Sequence, residues 1–472
     1  MSNSTTHLSS PEGAIASLQR WLSVREAAES AIMQKTLPNW LSPEAPRVIL
    51  MIATKKLWAA VGLASVFLIS SVGAPACLGD DAPISPPSDS GSRTGINPHD
   101  EKIGVTDNEI LIGAGLPLTG ILSERGHQAK QGFETYIRYV NDQGGMNGRH
   151  IKIVLEDDCY DPKKVAEIFD KSFVGKVFAL GCAVGSAPVA KYVQRAQATS
   201  TPMLGVLTGN PVASYFHPTQ FSFRPSYNDE IKKLAEELYQ HGVRKFGVLY
   251  QSDAYGYAIH DALSSAIKVH GLTIAIEAPY EKSKIGTAEA AWEHVNESRP
   301  DAVFLASTAD ALKSIIKLRN QATFKPIFVL SSIAVDYLHD TGKLADGTVV
   351  AEVLPPLSDS SAAVSLYRQL SKKYPSDTAI SRTGLDAFLN AMILVEGVKR
   401  TGKNLTRSGF IHSIEHMKNY DLGLEPVYKL CYTENDHNGL SPTTIRLSIM
   451  KNGEPASIKN TDWTDILQSI RK

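Results

Sequence analysis

From residue 110 onward, short β-branched and aliphatic runs alternate with segments of helical length. That alternation constrains the fold of the 472-residue chain more than any other feature. The strand-like runs fall at 110–113, 151–156, 177–180, 203–206, 246–250, 273–278, 302–306 and 327–330. Between them, 128–141, 162–173, 186–198, 229–240, 255–270 and 308–321 have helical spacing. Strand, helix and strand in this order need crossover connections, and crossovers make parallel sheets. The strands could close as one barrel or divide into two open sheets. The connection through Pro218 and Pro225, with a polar run at 221–228, interrupts the series where a second one begins. Two open sheets are therefore expected, with solutes settling beyond the carboxyl ends of the strands and the cleft between the sheets as the natural pocket.

Composition narrows the partners. Lysine plus arginine total 48 and aspartate plus glutamate 49, so a net charge of −1 gives no general attraction for nucleic acid or an anionic membrane. Hydrophobic residues make up 43% and charged residues 21%, which suits an α/β protein with buried strands. The length predicts two or three units.

The longest apolar run, 57–72, follows Lys55 and Lys56 and precedes Ala74, Pro75, Ala76 and Cys77. It is shorter than the ~20 residues of a spanning helix and ends in an A-x-A pattern, so it reads as an export signal. The signal begins at Met51, which makes residues 1–50 a mis-assigned upstream extension and 51–76 the signal peptide. Cys77 stands where bacterial lipoproteins carry their acylated cysteine, ahead of a Ser-, Pro- and Gly-rich tether at 77–102. Ala74-Pro75-Ala76 departs from the usual lipobox, so lipidation at Cys77 and plain secretion both stand open.

Several motifs occur in order: Pro117-Leu118-Thr119-Gly120, Gly126, Gly132, the run from Val140 to Arg149, Glu156-Asp157-Asp158, Asp161-Pro162, Asp253-Ala254-Tyr255-Gly256 and Leu405-Thr406-Arg407. Together they resemble the type I periplasmic binding proteins of the branched-chain amino-acid family, typified by the leucine/isoleucine/valine-binding protein, from about residue 103 to the carboxyl terminus. The resemblance implies an α/β fold of two lobes, each a mainly parallel sheet flanked by helices, joined by three hinge crossovers. Lobe 1 is expected at 103–223 and 350–426, and lobe 2 at 224–349 and 427–472. It also implies an extracytoplasmic substrate-binding component of an ABC importer, for amino acids or related small carboxylates. Its partners would be a membrane permease and an ATPase, it would need no cofactor, and it would reside in the periplasm or at the cell surface. A ligand-sensing module of the same fold, coupled to a signalling partner, is the alternative.

On that resemblance, Ser186 and Gly185 grip a ligand carboxylate where the third strand opens a helix. The bare amide groups of a helix amino terminus also favour an anion there. The alternative for Ser186 is a cap on its own helix. Thr208 and Gly209, after the fourth strand, present further groups to the same carboxylate, or form an ordinary proline-terminated turn. Tyr255 meets the ligand from the second lobe, or packs against a neighbour. Arg125 stands where amino-acid binders commonly place an aromatic residue. Its guanidinium either reads a second anionic group on the cargo or is solvated. No carboxylate occurs in Ser331-Ser332-Ile333-Ala334, where the family commonly pairs the ligand ammonium, and Asp336 is the nearest acid. An amide, a keto acid or an aromatic acid stays open as cargo. Cys159 and Cys182 approximately match a family disulfide, which would leave Cys431 as a buried free thiol. The 13 histidines show no metal-binding or hydrolase spacing, Asp436-His437-Asn438-Gly439 reads as a surface turn, and no catalytic or metal motif appears.

Overall fold

The computed structural model describes residues 94–339 and 341–471. The expected upstream extension, signal peptide and Cys77, with most of the tether, lie outside the described residues.

The first lobe begins with β1 (Glu109–Leu116), α1 (Ser123–Asp142), β2 (His150–Asp157), α2 (Pro162–Ile168), β3 (Ala179–Val184), α3 (Ser186–Ala198) and the short β4 (Val206–Leu207). Its sheet runs β2-β1-β3-β4 with every pair parallel. All residues of β3 are buried, as a parallel strand covered on both faces requires. The second lobe continues with α4 (Tyr227–Gln240), β5 (Phe246–Gln251), α5 (Ala254–Lys268), β6 (Ile276–Tyr280), α6 (Ile285–Ser298), β7 (Ala302–Ala306), α7 (Ala309–Gln321), β8 (Ile327–Leu330), α8 (Val335–His339) and β9 (Val349–Glu352). The chain then returns to the first lobe as α9 (Ala362–Lys373), α10 (Arg382–Thr401), α11 (Arg407–Glu415), β10 (Tyr420–Asp421) and β11 (Lys429–Leu430). It ends in the second lobe with β12 (Arg446–Lys451), β13 (Glu454–Ser457) and α12 (Asn460–Arg471). The second sheet is ordered β13-β12-β9-β8-β7-β5-β6, with β12 antiparallel to both β9 and β13.

The boundaries differ from the sequence expectation. β9 pairs with β8, so the second crossing follows Glu352 and does not fall at 350. The segment after 426 stays with the first lobe: β11 pairs with β10, and the third crossing runs from Leu440 toward Arg446. It lies beside the first crossing, where the Gly439 amide donates to the Ser222 carbonyl (2.8 Å) and the Leu440 amide to the Phe223 carbonyl (3.0 Å). His437 in this segment is buried and stacked on Phe221 at 4.0 Å, so the expected surface turn carries a core side chain at its centre.

Several motifs have local causes. After α1, Gly144, Gly145 and Gly148 take positive φ, and the Asn141 side chain exchanges two hydrogen bonds with the Ile151 backbone, fixing where β2 starts. Gly132 brings α1 against α10, since a Cβ there would lie 1.8 Å from the Gly384 carbonyl oxygen. Thr406 caps α11, and the buried Arg407 guanidinium donates to the Val177 and Phe178 carbonyls just before β3. The helix expected over 162–173 changes to a π-turn at Phe169–Phe173, which buries both phenylalanines.

The expected Cys159–Cys182 disulfide is absent, and both thiols are free. The sheet order explains this. β1 separates β2 from β3, so a residue just beyond β2 and one within β3 are two strand spacings apart, about 10 Å, against the ~4–7 Å that a disulfide spans between Cα atoms. Cys159 Sγ instead sits 2.8 Å from both Lys164 Nζ and Thr119 Oγ1, while burial pushes the Cys182 thiol pKa up. Cys431 is not the free thiol expected.

One buried charge joins the lobes. Arg224, on the first crossing, donates Nη1 to Asp386 of α10 and Nη2 to Glu230 of α4, each at 3.2 Å, with side chains 3%, 6% and 0% exposed respectively. Glu230 also accepts from the Ser332 amide (2.7 Å), beyond β8.

Two outcomes follow from this packing. Arg224→Ala leaves two buried carboxylates uncompensated and is expected to cost about 3–5 kcal/mol in chemical denaturation, and a loss under about 1 kcal/mol would remove the junction from the list of structural supports. Iodoacetamide should label Cys159 in the native protein and Cys182 only after unfolding, and a peptide map with the two linked would contradict the strand-spacing argument.

Candidate functional site

The carboxyl ends of both sheets face each other across the crossings. From the first lobe come Leu122 and Arg125 after β1, Tyr160 after β2, Gly185 and Ser186 after β3, and Leu207 ending β4. From the second come Tyr255 after β5, Thr308 after β7, and Ile333 and Tyr337 after β8, with Tyr227 at the start of α4. They enclose a cavity of about 30 Å³. Solute pockets typically measure hundreds of Å³, so the lobes must part and side chains shift to admit a ligand.

Each anticipated residue has a definite place. Gly185 caps α3 at φ +89 with no side-chain cap, and a Cβ there would fall 2.5 Å from the Tyr160 ring. Ser186 is buried, and its Oγ lies 2.9 Å from Thr208 Oγ1, so it does not cap its own helix. The first-turn amides of α3 are thereby left for another acceptor. Thr208 stands one layer behind the cavity wall, 3.4 Å from the Tyr227 hydroxyl. Gly209 is set apart from the cavity lining. Its carbonyl accepts the Tyr227 amide at 2.6 Å, and a Cβ would meet the Tyr227 ring at 2.5 Å, so it serves the packing of the crossing. Tyr255 is buried with its hydroxyl 3.3 Å from Ser331 Oγ and its ring centroid 5.5 Å from that of Tyr227. Arg125 is 5% exposed, donates Nη1 to the Ile333 carbonyl and lies over the Tyr337 ring, so it is not solvated.

Asp336 is half-buried and does not line this cavity. From the second lobe it accepts the Arg382 and Thr383 amides (3.3 and 3.0 Å) and the Thr383 hydroxyl (2.7 Å), sitting on the amino terminus of α10 in the first. Two further bonds cross between the lobes. The Tyr160 hydroxyl donates to Asp253 (2.9 Å), and Asn210 Nδ2 donates to the Ala254 carbonyl (2.9 Å). Asp253 also caps α5 through the Tyr255 and Gly256 amides.

Tyr160, Tyr227, Thr308, Ile333 and Tyr337 were not singled out from sequence. Tyr160, Thr308 and Ile333 follow strands, so choosing every strand-end loop would have found them. Tyr337, on a short helix, carries no such signal. Burial raises the pKa of Tyr160 and Tyr255, and that of Tyr337 to about 12, so these phenols stay neutral. For Arg125, burial works against the charge, yet Tyr337 and Asp336 raise its pKa on balance and it remains a cation. Among the described residues no cluster suits a metal ion, and no helix is long and apolar enough to cross a membrane.

Beneath Tyr160, Asp158 is fully buried, accepting the Tyr160 amide (2.9 Å) and the Tyr192 hydroxyl (3.3 Å). Burial pushes its carboxyl up to about 7, outweighing those hydrogen bonds. From about pH 4 the unfolded chain gives up this proton, while the folded chain holds it until about pH 7, so stability falls as pH rises through that window. The melting temperature of Asp158→Asn relative to the natural sequence should therefore rise between pH 4 and pH 8, and a difference independent of pH would count against the buried proton.

A family model described as periplasmic binding protein matches residues 109–446. The Leu/Ile/Val-binding protein homolog 2 of Brucella abortus (strain 2308) is 42% identical over 72 residues, covering 15% of this chain and 19% of the relative. Homolog 8 of the same strain is 24% identical over 235 residues, covering 47% and 57%. The chain thus spans from about a fifth to somewhat over half the length of these curated relatives. Among solved structures, a possible leucine/isoleucine/valine-binding protein from Rhodopirellula baltica SH 1 aligns with a TM-score of 0.69 at 22% identity, over 76% of this chain and 98% of that one. A branched-chain amino acid ABC transporter protein from Thermus thermophilus with bound valine aligns at 0.68 and 16% identity, over 77% and 99%. A fatty acid ABC transporter substrate-binding protein from Thermomonospora curvata aligns at 0.67 and 21%, over 76% and 93%. The chain belongs to the periplasmic binding protein family, a family of binders and not of enzymes, on the type I fold that it shares with the Leu/Ile/Val-binding proteins.

Proposed function

We propose that this chain is the extracytoplasmic substrate-binding component of an ABC importer, receiving an amino acid or a related small carboxylate between its lobes and presenting the closed form to a membrane permease. The observation that carries this reading is the meeting of strand-end loops from both sheets in one buried cavity. There the uncapped amino terminus of α3 and Ser186, backed by Thr208, would form an anion-receptive wall, and Tyr255 would close from the other lobe. The relatives support it: one solved neighbour carries valine and another is named for fatty acids. ATP hydrolysis falls to partner subunits, so the chain itself needs no cofactor. In this reading the protein lies outside the cytoplasm, with Cys77 as the residue that would carry a lipid anchor.

The hinge reading gives closure a cause. A solute touching both lobes favours the closed form by its differential affinity for it. A thermal-shift screen over amino acids, amides, keto acids and aromatic acids should find ligands that raise the melting temperature. Replacing Ser186→Ala together with Tyr255→Ala removes one polar contact from each lobe, and should weaken the best ligand at least about 100-fold by calorimetry. Unchanged affinity would take both residues out of the site.

A further inference from the structure

We infer that the cavity is built for a carboxylate with an apolar, preferably aromatic body and no ammonium group, rather than for an α-amino acid. This rests on the interlobe-binding reading above and deepens it.

The cavity wall contains no carboxylate and one cation, Arg125. An α-amino acid places its ammonium beside its carboxylate, so a cleft that grips the carboxylate at α3 must offer the ammonium a nearby anion or free acceptors. The surrounding acids are all engaged elsewhere. Asp253 caps α5 and receives Tyr160, Asp336 sits on the end of α10, Glu230 and Asp386 hold Arg224, and Glu352 holds Arg382; Asp336, Glu352 and Asp386 line a neighbouring cleft that shares Arg125 and Ile333. The Ile333 carbonyl, which could accept from an ammonium, is taken by Arg125. An ammonium entering here would lose its water without gaining an ionic partner, close to a fixed positive charge.

Arg125 makes the complementary point. Its guanidinium is 5% exposed, and among the described residues no carboxylate forms an ion pair with it. Asp336 is the nearest acid to influence it, and its oxygens are occupied by backbone amides and a hydroxyl. A buried cation whose acceptors are neutral, the Ile333 carbonyl and the Tyr337 hydroxyl, is completed by an anion on the ligand. The remaining wall is made of flat and aliphatic surface, with Tyr160, Tyr227, Tyr255 and Tyr337 around Leu122 and Ile333. Such rings favour an aromatic body, through offset or edge contacts.

The decisive comparison uses pairs that differ only in the ammonium group: 3-phenylpropionate against L-phenylalanine, and 4-methylpentanoate against L-leucine, titrated by calorimetry into the full mature chain. In each pair the deaminated acid should bind at least 30-fold more tightly, and 3-phenylpropionate should be the tighter of the two acids. Arg125→Gln, with its fold checked by circular dichroism, should shrink the gap within each pair to about threefold. Should that variant fail to fold, the unsubstituted protein decides the ligand class alone. An amino acid that binds as tightly as its deaminated partner, and loses affinity in the Ser186→Ala and Tyr255→Ala double variant, would overturn the ligand class and leave the binding-protein reading standing. If neither these compounds nor any in the thermal-shift screen bind, both readings fail.

Discussion

Arg224 ties the two lobes together through two buried ion pairs. It rises from the first crossing, and its two guanidinium arms reach α10 in one lobe and α4 in the other. Parting a desolvated ion from its partners leaves buried charge without compensation, which costs several kcal/mol. In the proposed opening the lobes would pivot about this junction. The third crossing lies against the first through the Ser222 and Phe223 carbonyls, so both strands of the pivot share its restraint. Because Glu230 also receives the Ser332 amide, the loop after β8 is positioned by the same charge group that sets the pivot. Ile333 and Tyr337 follow that loop, and the cleft wall inherits its geometry from the hinge.

Farther from Arg224, further contacts join the lobes, among them the Arg382–Glu352 ion pair between α10 and β9. Tyr160 to Asp253, Asn210 to Ala254, Arg125 to Ile333 and Asp336 to the end of α10 are separate contacts. Net contributions of single hydrogen bonds run near 1 kcal/mol, somewhat more where a charge takes part. These bonds would be set against the water that replaces them on opening, so their net contribution to closure is smaller than their number suggests, and a solute touching both lobes could shift the balance.

Much of this was legible in the sequence because parallel strands buried on both faces announce themselves as continuous apolar runs. 302–306 and 327–330 coincide with β7 and β8, and 186–198 with α3. The rule that sites gather at strand ends led to Arg125, Gly185, Ser186 and Tyr255, all of which line one cavity. Long-range matters were harder to read. The fourth strand was expected at 203–206, but Gly205 at φ +71 breaks the run and only Val206–Leu207 pairs regularly. The crossing points depended on which sheet β9 and β11 would join, a choice made by partners distant in sequence. The Cys159–Cys182 pairing failed for the same reason, since nothing local says that β1 comes between β2 and β3. Gly209 looked like its neighbour Thr208, yet the approach of Tyr227 sets its role.

Arg125 unites pivot, rim and pocket. Without an anion, its guanidinium donates to a neutral carbonyl across the cleft and rests on Tyr337, which satisfies part of its hydrogen-bonding capacity and little of its charge. A carboxylate in the cavity would exchange that neutral acceptor for a charged one, and hydrogen bonds between ions are roughly twice as strong as neutral ones. The exchange would be available only to a solute bearing negative charge, so under the proposed reading the contact that helps keep the lobes together would also select what enters between them. Selectivity would then arise from an interaction the protein does not complete by itself. The same charge that is costly to bury in the folded chain gains its compensation when the ligand arrives.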